Sequence, residues 1–169
     1  IPFFVSTDEF AARRTYLLGA ETALNLGPLN LQSEYMMVNV DREDQESLRF
    51  WGGYVQASLF LTGENRVYRQ NRGTYGRVRP YENFFSVQQW VDDRLALGRG
   101  AWQIAARLSH IDLNNGNIEG GRLTDLTLGL NWYLNRRTRV QFNYIRPMLD
   151  YRDVSSNADI LAARFSLFF

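Results

Sequence analysis

The sequence predicts an all-β fold in which antiparallel strands build the wall of a transmembrane β-barrel. Three observations carry that expectation. Apolar and polar side chains alternate strictly over stretches of about ten residues, aromatic groups gather at the ends of those stretches, and no run approaches the ~18 apolar residues of a membrane helix. The clearest stretch is Leu126 to Tyr144. Leu126, Leu128, Leu130, Trp132 and Leu134 fall on one face, and Thr127, Gly129, Asn131 and Tyr133 on the other. After a turn at Asn135-Arg136-Arg137, Val140, Phe142 and Tyr144 alternate with Arg139, Gln141 and Asn143. Successive side chains of a strand point to opposite faces, so this hairpin is apolar on one side and hydrogen-bonding on the other. A soluble sheet shares that pattern, but the strand length and the terminal aromatics fit a hairpin set between lipid and a lumen.

In chain order, Ile1 to Arg13 shows no alternation and reads as a lead-in. Arg14 to Leu26 is a strand with Tyr16, Leu18, Ala20, Thr22, Leu24 and Leu26 opposite Gly19, Glu21, Ala23 and Asn25. Gly27-Pro28 is a tight turn. In the next strand, Leu29 to about Val38, Leu31, Tyr35 and Met37 oppose Asn30, Gln32 and Glu34, and the polar run Asp41 to Ser47 is an exposed loop. Arg49 to Thr62 sets Trp51, Val55, Ala57, Leu59 and Leu61 against Tyr54, Gln56 and Ser58. Residues 63–100 are rich in Arg, Tyr and Gly and do not alternate; Phe84 to Val91 is open between short strand and loop. In Ala101 to Leu113, Trp102, Ile104, Ala106 and Leu108 oppose Gln103, Ala105, Arg107 and Ser109. Asn114 to Gly121 and Pro147 to Ala158 read as loops by composition. Asp159 to Phe169 closes with Leu161, Ala163, Phe165, Leu167 and Phe169 against Ala162, Arg164 and Ser166.

The pattern therefore gives about seven strands in a single unit covering 1–169, with 63–100 as a connection that adds no full strand. With Phe169 at the periplasmic edge, counting back places the Asn135 turn, Trp132 and Trp102 there as well. Trp51, Tyr16 and Tyr144 then fall at the outer edge, giving two aromatic girdles. One extra strand within 63–100 would invert everything before it. Single-chain barrels close with an even number of strands, and an open edge in hydrocarbon leaves backbone groups unpaired. These residues are accordingly expected to be the C-terminal part of a longer barrel.

Composition bounds the chemistry. Of 169 residues, 45% are hydrophobic and 14% aromatic, which excludes a disordered chain. Cysteine is absent, so disulfides and thiolate metal sites are excluded, in keeping with a Gram-negative cell envelope. The sequence starts without Met or an apolar leader, as a mature chain after signal cleavage or a fragment would. Net charge is +1, too small to argue for a polyanion partner. All 19 basic residues are Arg, whose planar fork suits oxyanions, although codon bias towards Arg accounts for this equally well.

In a barrel, the polar face lines the lumen. The candidate lining residues are Arg107, Arg139, Arg164, Glu21, Glu34, Gln56, Gln103, Asn131, Gln141, Asn143, Tyr54 and Tyr133. Inward Arg favours anions; the competing expectation is that Arg107, Arg139 and Arg164 pair with Glu21 or Glu34 and only brace the wall. Arg66 to Tyr81 interleaves Arg66, Arg69, Arg72, Arg77 and Arg79 with Tyr68, Tyr75 and Tyr81. Such interleaving can stack single-stranded nucleic acid, but no RNA-binding signature accompanies it, so no nucleic-acid partner is expected. Asp41, Glu43, Asp44 and Glu46 lack the spacing of a calcium loop and read as a solvated loop rather than a metal site. His110 is the only histidine; its neighbour Ser109 points to the opposite face, so no Ser/His catalytic pair, and no catalytic or cofactor site, is expected.

Several stretches in fixed order resemble the C-terminal portion of the phosphate-selective porins O and P. They are Leu31-Gln-Ser-Glu-Tyr35, Gly53-Tyr-Val-Gln-Ala-Ser58 with Leu61-Thr-Gly-Glu64, Gly100-Ala-Trp-Gln-Ile-Ala-Ala-Arg107, Thr127-Leu-Gly-Leu-Asn-Trp-Tyr-Leu-Asn135, and Arg139 to Tyr144 followed by Arg164 to Phe169. The resemblance implies a 16-stranded outer-membrane barrel, assembled as a homotrimer in contact with bilayer and lipopolysaccharide, that passes small anions, phosphate or polyphosphate among them. It also implies that 63–100 is a periplasmic connection. The family's anion-binding residues lie largely upstream of these, and Ser86 to Leu97 departs from its pattern. Two other functions compete with a passive anion-preferring porin: a plugged barrel serving as a platform for another envelope protein, and a soluble β-sheet binding protein.

Overall fold

A computed structural model describes residues 4–169 apart from 44, 70, 72, 89–94 and 153. The described residues form one large antiparallel sheet, with no helix among their elements. Its members are β1 (Arg14–Leu26), β2 (Leu29–Asp41), β3 (Leu48–Phe60), β8 (Ala101–Asn115), β9 (Ile118–Tyr133), β10 (Thr138–Tyr151), β11 (Val154–Asn157) and β12 (Ile160–Leu167). Four short strands belong to the connection: β4 (Tyr68–Arg69) pairs with β5 (Thr74–Tyr75), and β6 (Phe85–Gln88) with β7 (Leu95–Gly98). The sheet runs β1-β2-β3-β8-β9-β10, and β11 and β12 share the far side of β10, pairing with Met148–Tyr151 and Thr138–Ile145 respectively. The sheet is thus seven strands wide, and it is open, with β1 at one edge and β11 and β12 at the other.

Local chemistry sets the short turns. Gly27 and Gly116 take φ of 58° and 56° at the first positions of two-residue links, where type II′ hairpins place glycine. At the third short turn, the Asn135 side-chain Oδ1 accepts from the amides of Arg137 (2.8 Å) and Thr138 (3.0 Å). No strand of the connection joins the large sheet, so β3 and β8 stay neighbours. Within the undecided Phe84 to Val91, Phe85–Gln88 is strand and Trp90 and Val91 lie outside the described residues.

The opposite end of the sheet departs from expectation. Asn114 to Gly121 and Pro147 to Ala158 are mostly strand, because β8 and β9 stay paired to Asn115↔Ile118 and β10 continues to Tyr151. Ladder hydrogen bonds need no apolar side chains; here Asn114 Oδ1 accepts from the Gly121 amide at 2.8 Å, and Arg122 pairs with Asp112 at 3.0 Å. Composition signalled a loop only because both faces turn polar. Tyr144 consequently lies mid-strand rather than at a strand end, bonded to Asp159 at 2.5 Å. The opposite edge pair, Trp102 and Trp132, stacks at 4.9 Å, and both indole N–H groups donate to the Arg99 carbonyl.

Burial is inverted relative to a soluble sheet. Leu24, Leu31, Val55, Leu108, Leu128, Phe142, Leu161 and Phe165, all on the apolar face, are exposed. The opposite face is covered at both ends. Residues 4–13, expected as a mere lead-in, lie over one end: Phe10 packs on Phe50 (6.3 Å) beside buried Val40 and Leu48, and the Ser6 amide donates to the Gly120 carbonyl. Over the other end lies the connection, with Val78 buried among Phe60, Ala101 and Tyr133.

Candidate functional site

Directly paired residues of antiparallel strands share a face, so the register decides which predicted residues belong together. Glu21↔Glu34↔Tyr54↔Ser109 is one cross-strand row, and Gln32↔Gln56↔Arg107↔Thr127 is the next. Asn25↔Asn30↔Ser58↔Ala105↔Gly129↔Asn143 follows, then Gln103↔Asn131↔Gln141↔Arg164, then Ala101↔Tyr133↔Arg139. All twelve predicted residues fall on this one face, as a polar band between the strap of residues 4–13 and the connection.

Part of the band is a hydrogen-bonded amide network. Gln103 donates to Ser58 Oγ (3.0 Å) and accepts from Asn131 (3.1 Å) and Tyr133 (3.1 Å), and Gln141 donates to Asn131 (2.8 Å). A second run joins Gln32 to Asn30 (3.0 Å) and Asn30 to both Asn25 (2.6 Å) and Tyr75 (2.7 Å). Asn30, Ser58, Gln103 and Asn131 are buried, and mutual pairing is what makes buried amides tolerable. These four serve the wall, with the connection resting on Asn30 through Tyr75.

The charged members are disposed differently. Arg107 and Arg164 are exposed, and Arg139 is half-buried. Arg107 lies over the Tyr54 ring at 3.9 Å, and Arg139 lies near the rings of Tyr133 (5.6 Å) and Phe168 (5.8 Å). Among the described residues none of the three forms an ion pair; the two ion pairs present are Arg122–Asp112 and Arg152–Asp8. The alternative of bracing through Glu21 or Glu34 is therefore not realised. Those two carboxylates instead face each other across β1 and β2, a like-charge juxtaposition that a sheet does not seek for stability.

His110 lies on the apolar face, its Nδ1 2.8 Å from Thr124 Oγ1 and its ring 5.0 Å from Trp51; Ser109 is on the other face. Among the described residues no acidic or histidine cluster could hold a metal; Asp44 lies outside them. A depression of about 470 Å³ over Ala57 and Ala106 is rimmed by Leu24, Leu31 and Leu108 of the apolar face. Sequence reasoning missed Glu64 as an anchor. It is buried, accepts from the Thr62 hydroxyl and the Tyr81 amide (3.1 Å), and fixes the start of the connection.

The family model described as phosphate-selective porin O and P matches residues 4–169. Porin O of Pseudomonas aeruginosa is 24% identical over 152 residues, covering 83% of this chain and 31% of that protein. An uncharacterized protein of Caulobacter vibrioides is 32% identical over 103 residues, covering 61% of this chain and 18% of that protein. The chain thus spans a third or less of the length of these curated relatives.

Proposed function

Because the chain belongs to the phosphate-selective porin O and P family, we propose that it forms one side of a passive aqueous channel in a Gram-negative outer membrane. Small anions, phosphate-like solutes among them, pass along the polar band without chemical change. The single observation that carries this reading is the inverted burial: large side chains of the apolar face are exposed, while the buried residues Asn30, Ser58, Gln103 and Asn131 lie on the polar face. In water that arrangement would leave a large apolar surface exposed; in a bilayer the same face meets lipid. This disfavours a soluble sheet. The exposed edge of β1 must be closed by strands outside residues 1–169, in a barrel of 16 strands by family likeness, because unpaired ladder groups are not tolerated in hydrocarbon. A homotrimer surrounded by lipid and lipopolysaccharide follows from the same likeness.

Selectivity is assigned to Arg107 and Arg164, which are exposed and have no carboxylate partner among the described residues. A cationic lining lowers the entry barrier for anions and raises it for cations. In planar bilayers, the full-length protein is expected to conduct with an anion-favouring reversal potential, and Arg107→Glu with Arg164→Glu to shift that potential towards cations. An unchanged potential would make these arginines structural. One observation favours the platform reading, namely that the connection lies on the polar face, bonded to Asn30 through Tyr75 and packed by Val78 on Phe60, Ala101 and Tyr133. A folded protein without conductance would decide for it.

A further inference from the structure

Arginines converge away from the polar band's centre, where the connection meets the β9–β10 turn. A cavity of about 90 Å³ is lined by Arg66 and Arg77 of the connection, Arg136 of the turn, Arg139 of β10, and Phe168. A wider cleft of about 750 Å³ shares Arg77 and Arg136 and adds Arg79. No Asp or Glu lines either space. The Nε atoms of Arg66 and Arg139 are shut off from solvent and have no hydrogen-bond partner. Arg77 and Arg139 both flank the Phe168 ring, at 5.7 and 5.8 Å, and Arg77 donates at 3.3 Å to the Phe169 carbonyl.

Guanidinium groups lining one small cavity repel one another, and a buried N–H without an acceptor is costly. A single ligand relieves both: a compact anion with several acceptor oxygens, which guanidinium forks bind with matching geometry. We propose that Arg66, Arg77, Arg136 and Arg139 form a resident site for a tetrahedral oxyanion. The bound ion clips the connection to the β9–β10 turn and to β10, as a structural counter-ion rather than a solute in transit. The proposal does not depend on conduction along the polar band.

The test uses the full-length protein purified in detergent in chloride buffer. Phosphate or sulfate, added at constant ionic strength, is expected to raise the unfolding temperature saturably, whereas further chloride is not. Labelled phosphate in equilibrium dialysis is expected to bind the wild type, and Arg66→Gln with Arg136→Gln to bind it roughly tenfold or more weakly, since charge-assisted hydrogen bonds are lost. Arg49→Gln, an arginine outside both spaces whose side chain bonds Asn39, is expected to bind as the wild type does. Absence of labelled phosphate on the wild type overturns the site however the variants fold, as does binding that survives Arg66→Gln with Arg136→Gln. A protein that conducts anions but shows neither binding nor stabilisation sinks the resident site alone; one that binds but does not conduct sinks the channel alone.

Discussion

Arg107, to which we assign anion preference, shows what a single contact does to an exposed arginine. Its guanidinium lies over the Tyr54 ring at 3.9 Å, and the residue is exposed to solvent. A cation–π contact at an exposed site is worth about 0.5–1 kcal/mol, enough to bias orientation without immobilising it. Tyr54→Phe is therefore expected to keep the anion preference and Tyr54→Leu to weaken it, as read from reversal potentials; equal effects of the two would remove Tyr54 as a positioning residue. Gly53 shows a constraint of packing. A Cβ there would meet the Glu34 carbonyl oxygen at 2.6 Å, whereas at Gly19 the nearest atom is 4.0 Å away. Gly53→Ala should lower stability in detergent by about 1–3 kcal/mol, with Gly19→Ala near neutral. A midpoint shift of equal size at both positions would show that the tight approach does not hold.

At the level of elements, the least expected feature is that the connection between β3 and β8 folds back onto the sheet. It lies on the polar face, held by Glu64 at its start, by Tyr75 against Asn30, by Val78 in a buried cluster, and by the Phe84 amide on the Leu134 carbonyl at 2.6 Å. Val78→Asp would bury an unpaired charge and should release this segment. Protease cleavage within 64–84 of the full-length protein is expected to accelerate and single-channel conductance to rise. If both stay unchanged, the connection does not restrict the passage. The strap of residues 4–13 is its counterpart at the other end, latched by Phe10 and by the Asp8–Arg152 pair at 3.5 Å. That exposed pair contributes little, so the apolar contact is the stronger fastening.

For the molecule as a whole, the open edges decide what these residues can do alone. β1 presents one unpaired side along 13 residues. In hydrocarbon each unsatisfied backbone group costs several kcal/mol, which apolar burial against lipid cannot offset along a whole edge. Residues 1–169 expressed alone should fail to give a monomeric, heat-modifiable species in detergent, whereas the full-length protein should give one. A folded, heat-modifiable monomer of 1–169 would refute closure by additional strands.

Much was legible before any coordinates. Period-two alternation determined the strands, their two faces and all twelve polar-band residues, because a strand's side-chain direction is a local property of the backbone. Gly27, Gly116 and Asn135 mark the short turns by their own conformational chemistry. Tertiary structure alone decided the rest. Polar hairpin ends such as Asn114 to Gly121 read as loops, since ladder hydrogen bonds leave no mark in side-chain composition. Nothing local in Phe10, Tyr75 or Val78 says that each folds back onto the sheet. Likewise Arg66 and Arg77 meet Arg136 and Arg139 across more than fifty residues of intervening chain. Contacts between distant residues are a property of how strands register and pack, and periodicity within any one strand does not encode them.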